Sequence, residues 1–175
     1  MSVLVITGSA RQDSFTRQLG AAIVAAAPDA TLAQRLTDLP YFDQDLEATP
    51  PAVVEALRAQ VTAADAVVFI TPEYNGTISG LLGNTIDWLS RPFGDRPAAL
   101  AGKPVLAVTA SPGGYGGVRA LVALRTVLGN AGATLLETTL SVSEVHVRLE
   151  AGDTDLTAVL EALASLPVVA EPLVA

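Results

Sequence analysis

Three uninterrupted apolar runs punctuate the chain, at Val3–Thr7, Ala66–Thr71 and Val105–Ala110. Each is short and rich in β-branched residues, the pattern of strands buried on both faces. Between them the apolar positions recur at helical spacing. Residues 14–27 read as a helix with Ser14 as N-cap, Leu19, Ile23 and Val24 on one face, and Pro28-Asp29 as its stop. A second strand is predicted over about 30–36, then a polar, proline-bearing loop over 37–50. Pro50-Pro51 opens a helix with Val54, Leu57 and Val61 on one side. Further helices are predicted over 79–89, 118–131 and 154–165, and a fifth strand over 134–140. Strands alternating with helices predict an α/β domain spanning 1–175, with a parallel sheet covered on both faces.

That architecture makes the strand ends informative. Ligands of such sheets sit at the carboxyl ends of the strands, where the strand order reverses. Three segments of unusual composition follow apolar strands: 8–16, 72–79 and 111–117. All three are therefore expected on one edge of the sheet, as one composite site.

Composition narrows the partners. Half of the residues are hydrophobic and 16% are charged, which marks a globular chain. The net charge of −8 repels nucleic acid and anionic lipid, and no run of basic residues offsets it. A phosphate site must then be built locally. The absence of cysteine excludes disulfides, thiol redox chemistry, Fe–S clusters and cysteine-ligated zinc. No apolar run approaches the roughly 20 residues of a membrane span. The N-terminus carries neither a basic region nor a cleavage site, so a cytoplasmic protein without membrane or nucleic-acid partners is expected.

The first loop offers Ser9, Arg11, Ser14 and Thr16 together with backbone donors at a helix start, a set suited to phosphate oxygens. Alone it is equally compatible with a capped helix and a solvated arginine. The second supplies the flat ring of Tyr74, the amide of Asn75, and Gly76. The third supplies Ser111 and the glycines 113, 114, 116 and 117. A phosphate end and a flat, amide-edged end fit a mononucleotide with a planar ring. Neither the dinucleotide glycine fingerprint nor the Gly-Lys-Ser/Thr ending of nucleotide-hydrolysing loops is present.

These segments carry a resemblance. Gly8-Ser9-Ala10-Arg11-Gln12-Asp13-Ser14, Pro72-Glu73-Tyr74-Asn75, Gly80 to Pro92 and Ser111-Pro112-Gly113-Gly114 resemble, in order, the motifs of the NADPH-dependent FMN reductase family. The resemblance implies a flavodoxin-like sheet of five parallel strands in the order 2-1-3-4-5. It also implies bound FMN, with NADPH or NADH as co-substrate and a small-molecule electron acceptor such as a quinone, flavin, azo or nitro compound or metal oxyanion. Electrons would pass in two half-reactions, and the chain would form a homodimer or homotetramer. Ser9, Arg11, Ser14, Phe15 and Thr16 would hold the phosphate and ribityl chain. Pro72, Glu73, Tyr74, Asn75, Gly76, Ser111, Gly113 and Gly114 would line the ring system. No side chain is assigned as catalytic, and no metal is expected. An electron carrier without its own nicotinamide reaction is the alternative.

Two departures stand out: Gly83 replaces the family's lysine, and Ser79 replaces the proline before Gly80. Several residues invite a functional reading against a plainer one. His146 reads as a surface or interface residue, Trp88 as packing or interface rather than a ring-stacking residue, and Glu73 as a loop anchor rather than a base. Asp43, Asp45 and Glu47 read as a solvated loop, because the glycine and late glutamate of a calcium loop are missing. Arg119 and Arg125 read as surface charges or as partners of Glu144 across an interface. Arg17, Arg91 and Arg119 are unranked candidates for contact with the extra phosphate of NADPH.

Overall fold

A computed structural model of the chain describes residues 1–152 and Glu161. Three long strands form the centre of the sheet: β1 (Val3–Thr7), β3 (Ala66–Thr71) and β4 (Pro104–Ala110). Shorter strands flank them, β2 (Ala30–Leu32) beside β1, and β5 (Thr134–Leu135) and β6 (Leu140–Val142) beside β4. All pairings are parallel and the order is β2-β1-β3-β4-β5, with β6 also on β4. Val3 lies opposite both Ala30 and Ala66, and Val67 opposite Val105, so the three central strands end nearly level.

Side chains alternate between two cores, as the two-residue period of a strand requires. Leu4, Ile6, Val67, Phe69, Val105 and Ala107 face α2 (Ala52–Ala63), α3 (Gly80–Leu89) and α4 (Val118–Asn130). Val3, Val5, Val68, Ile70, Leu106 and Val108 face α1 (Phe15–Ala26) and the short α5 (Val145–Glu150). Burial on both sides explains why the central strands read as continuous apolar runs.

The margins depart from expectation. The predicted strand over 30–36 stops at Leu32, because Arg35 adopts a left-handed conformation (φ 62°) and turns the chain into a 3-10 turn at Leu36–Asp38. The predicted strand over 134–140 is two strands. Val105 pairs Leu135 and Val108 pairs Leu140, so the outer chain takes two more residues than β4 over the same stretch and bulges at Glu137–Thr139. His146 lies on α5, an element the sequence reading did not contain. The helix predicted over 154–165 lies outside the described residues. Among the described residues, no helix is long and apolar enough to cross a membrane.

Candidate functional site

The carboxyl ends of β1, β3 and β4 open into three loops that meet over one cleft of about 340 Å³, within the roughly 300–1,000 Å³ of ordinary small-molecule sites.

The first loop begins where Gly8 donates its N–H to the Ile70 carbonyl, 2.7 Å away, the last tie to β3. Ser9 then accepts from the Arg11 N–H (3.3 Å). Ser14 caps α1 by accepting from the Arg17 N–H (3.3 Å), and its hydroxyl lies 3.3 Å from that of Thr16. Ser9, Ser14 and Thr16 are all buried. Among the described residues, the N–H groups of Ala10, Gln12, Asp13, Phe15 and Thr16 have no acceptor. Buried polar groups and helix-start donors without partners are the mark of an anion cradle. Arg11 is exposed and forms no ion pair among the described residues. Its guanidinium lies 5.6 Å from the Phe15 ring centre, and the His146 ring packs on Phe15 at 6.1 Å.

The second loop is a two-residue hairpin. Tyr74 and Thr77 exchange both backbone hydrogen bonds (3.1 and 3.0 Å) across Asn75 and Gly76, whose φ values are 53° and 74°. A tight turn with two positive φ angles calls for Asn-Gly, so this part of the motif is explained by chain reversal. Glu73 reaches out of the loop altogether. Its Oε2 accepts from the N–H groups of Arg119 and Ala120 (3.1 and 3.2 Å). The N-cap of α4 is Gly117, which has no side chain to cap with, and Glu73 takes over that task from another loop.

The third loop is pinned to the segment after β6. Ser111 donates to the Val142 carbonyl and accepts from the Val145 N–H (3.0 and 3.2 Å). Gly116 (φ 62°) presses on Ser141, where an added Cβ would collide with the Ser141 hydroxyl.

Nine of the expected residues line the cleft together: Ser9, Arg11, Ser14, Phe15, Thr16, Pro72, Glu73, Tyr74 and Ser111. Asn75, Gly76, Gly113 and Gly114 belong to the same loops but lie outside the lining. Ala110 and Pro112 line it and were not anticipated; they flank Ser111, and that adjacency was the available signal.

Other candidates fall into place as structure. Trp88 is fully buried, edge-on to Phe42 and Phe93, and donates its indole N–H to the Pro40 carbonyl (2.9 Å). Asp43 accepts from the Asp45 N–H within its own turn, and Glu47 pairs with Arg91 (2.7 Å). Arg125 donates to the Leu136 carbonyl (2.9 Å). Ser79 caps α3 by accepting from the Leu82 N–H (3.2 Å), a role open to serine and closed to the proline it replaces. A side chain at Gly83 would meet only Ile78, at 4.0 Å, so no packing demands glycine there. Arg58 escaped the sequence reading. It is buried on α2 and donates to the carbonyls of Trp88, Arg91 and Pro97 (3.3, 2.7 and 3.0 Å), with its guanidinium 3.9 Å from the Phe93 ring centre. Burial and the neighbouring Arg96 push its pKa down, while Glu55 pulls it up.

A parallel sheet of this order, with free helix-start donors after its first strand and a cleft at its strand ends, defines a flavodoxin-like fold. Comparison with known proteins makes this specific. The chain belongs to the NADPH-dependent FMN reductase family, whose profile matches residues 1–147. It is similar to the quinone reductase of Pseudomonas putida, 41% identical over 131 residues that cover 73% of this chain and 69% of the relative. The quinone reductase of Escherichia coli K12 is likewise 41% identical, over 133 residues with the same coverage. Among solved structures, the flavoenzyme NAD(P)H:(acceptor) oxidoreductase FerB of Paracoccus denitrificans superposes with a TM-score of 0.71 at 27% identity. It covers 92% of this chain and 98% of that one. The protein is an oxidoreductase of this flavin-dependent family, acting on a small-molecule acceptor.

Proposed function

We propose that the protein is an FMN-dependent NAD(P)H oxidoreductase whose leading acceptor class is quinones. The observation that carries this reading is the convergence of three strand-end loops on one cleft, with unpaired N–H donors and buried hydroxyls at one end and a half-exposed tyrosine at the other. The quinone reductases at 41% identity support the choice of acceptor.

In this reading Ser9, Arg11, Ser14 and Thr16, with the backbone of residues 10–16, hold the phosphate, and Phe15 steadies Arg11. Pro72, Glu73, Tyr74 and Ser111 lie along the ring, with Asn75, Gly76, Gly113 and Gly114 shaping their loops. The chemistry the cofactor supplies is two-electron transfer in two half-reactions, from a reduced nicotinamide and then to the acceptor. The chain binds, orients and screens. Its cradle N–H groups and Arg11 neutralise a dianion on an otherwise acidic protein. Glu73 fixes the second loop against α4, which holds Pro72 and Tyr74 in register with the third loop. No side chain is assigned a proton-transfer step. Self-association would cover Tyr115, Val118 and Val122, apolar side chains exposed beside the third loop.

Anaerobic absorbance of the FMN-loaded protein tests the proposal. NADPH or NADH should bleach the flavin bands within seconds, and a benzoquinone should restore them. Bands that persist favour an electron carrier, and failure to take up FMN rejects both readings. Azo, nitro and metal-oxyanion compounds form the other arms of the acceptor screen.

A further inference from the structure

A second cleft adjoins the first and shares Ser9 with it. It opens between the ends of β1 and β2 and is small, about 60 Å³. Its charged lining is Arg17 and Arg35, with no carboxylate among the lining residues. On a chain of net charge −8, two arginines converging without an acid are a local exception. We infer that this cleft receives the 2′-phosphate of NADPH and sets the preference for NADPH over NADH. The inference rests on the oxidoreductase reading above.

Four observations carry it. First, Arg17 is half-buried, and its guanidinium has no hydrogen bond or ion pair among the described residues. The other candidate arginines are engaged: Arg91 with Glu47 at 2.7 Å, and Arg119 near Glu73 at 3.8 Å. Second, Thr7 lines the cleft at 5% exposure with a hydroxyl that has no hydrogen-bond partner among the described residues. Its methyl is the group turned to Gly20, which leaves the hydroxyl free for another acceptor or donor. Third, Arg35 reaches the cleft from a left-handed backbone (φ 62°), a conformation costly for a residue with a Cβ and concentrated at ligand-holding positions. Its present partner Asp38 (2.7 Å) is an exposed one, and such pairs exchange readily for a phosphate dianion.

The fourth observation is what lies beyond. Gln34, Arg35 and Leu36 also line an adjoining groove of about 240 Å³ that runs along α2 past Leu39, Val53 and Leu57. A phosphate-sized cleft is thus flanked by a ring-sized apolar groove on one side and by the flavin cleft on the other. The sequence adenine, ribose 2′-phosphate, nicotinamide has the same order. Neighbouring strands lie about 4.8 Å apart, so the step from β2/β1 to β3/β4 is on the order of 10 Å, within reach of one dinucleotide.

The test pairs steady-state kinetics with a binding probe that needs no turnover. Arg17→Ala and Arg17→Gln should lower the NADPH/NADH ratio of kcat/KM by roughly 10- to 150-fold, the effect of one charged hydrogen bond. Calorimetry with adenosine 2′,5′-bisphosphate should show binding that is weakened to a similar degree in both variants, and tighter in wild type than binding of 5′-AMP. The Kd for FMN should stay within about 2-fold of wild type, as for a substitution away from the flavin. An unchanged NADPH/NADH ratio, a loss of FMN affinity, or equal binding of the bisphosphate and 5′-AMP would overturn the assignment. If neither nicotinamide reduces the wild-type flavin, the oxidoreductase reading fails by itself. The bisphosphate titration then still decides the subsite, for it if binding depends on Arg17 and against it if not.

Discussion

Removing the Arg11 guanidinium should separate FMN from riboflavin. Arg11 is exposed, forms no ion pair among the described residues, and leans on Phe15 at 5.6 Å from the ring centre. Its contribution to the folded apo-protein is therefore confined to an exposed cation–π contact, about 0.5 kcal/mol. Toward a phosphate dianion the same group offers charged hydrogen bonds, each worth about 1.5–3 kcal/mol. Arg11→Ala should then raise the Kd for FMN by roughly 10- to 150-fold. Riboflavin has no phosphate, so its Kd should move by no more than about 2-fold, the equivalent of the lost ring contact. Arg11→Lys should fall between, keeping the charge without the fork. Flavin fluorescence quenching measures both constants. Repeating the titration from 50 to 300 mM salt should weaken FMN binding to wild type more than to the alanine variant, because part of the wild-type attraction is screened. Equal losses for FMN and riboflavin, or a wild-type salt dependence in Arg11→Ala, would refute the phosphate role.

Other outcomes follow from the same contacts. Glu73→Ala leaves the first N–H groups of α4 uncapped and should cost about 1–2 kcal/mol in urea unfolding of the apo-protein, with Glu73→Asp failing to rescue if reach matters; wild-type stability in Glu73→Ala would argue against the cross-loop cap. Arg58→Ala strips three carbonyls of their buried donor and empties the space over Phe93, so a loss of about 3–5 kcal/mol is expected, and a shift in Tm of only a degree or two would contradict it. Glu55 is held below the usual carboxylate range by its hydrogen bonds from Arg96, helped by the Arg96 and Arg58 charges and opposed by burial. A lowered folded pKa stabilises the fold above the ordinary glutamate value near 4.3, and that share disappears as the pH falls below it. The stability gap between wild type and Glu55→Gln should thus be below about 1 kcal/mol at pH 7 and shrink on acidification, since the pair is largely exposed; a gap that widens toward pH 3 would reverse the sign.

What the sequence made legible was what repeats. Val3–Thr7, Ala66–Thr71 and Pro104–Ala110 are buried on both faces, so their composition alone identified them. The outer strands are set by backbone events that leave weak traces: a left-handed Arg35 ended one, and a bulge at Glu137–Thr139 split the other. In the site, the loops were legible and the division of labour within them was not. Asn75 and Gly76 make the hairpin turn of their loop, a task their types announce, whereas Glu73 caps a helix that begins more than forty residues later, which no local pattern announces. Arg58 sits in the stripe of Val54, Leu57 and Val61, and an arginine at an apolar position was a visible anomaly.

The interrupted outer strand also limits how this sheet can be extended. A sheet recruits further strands through a straight row of free N–H and C=O groups at its margin. Here one margin is a strand of three residues, and the other is broken between Leu135 and Leu140. Among the described residues, neither margin presents a long, straight template for another strand. Among the described residues, growth by strand addition, and the fibrous aggregation it leads to, is disfavoured at both margins of the sheet.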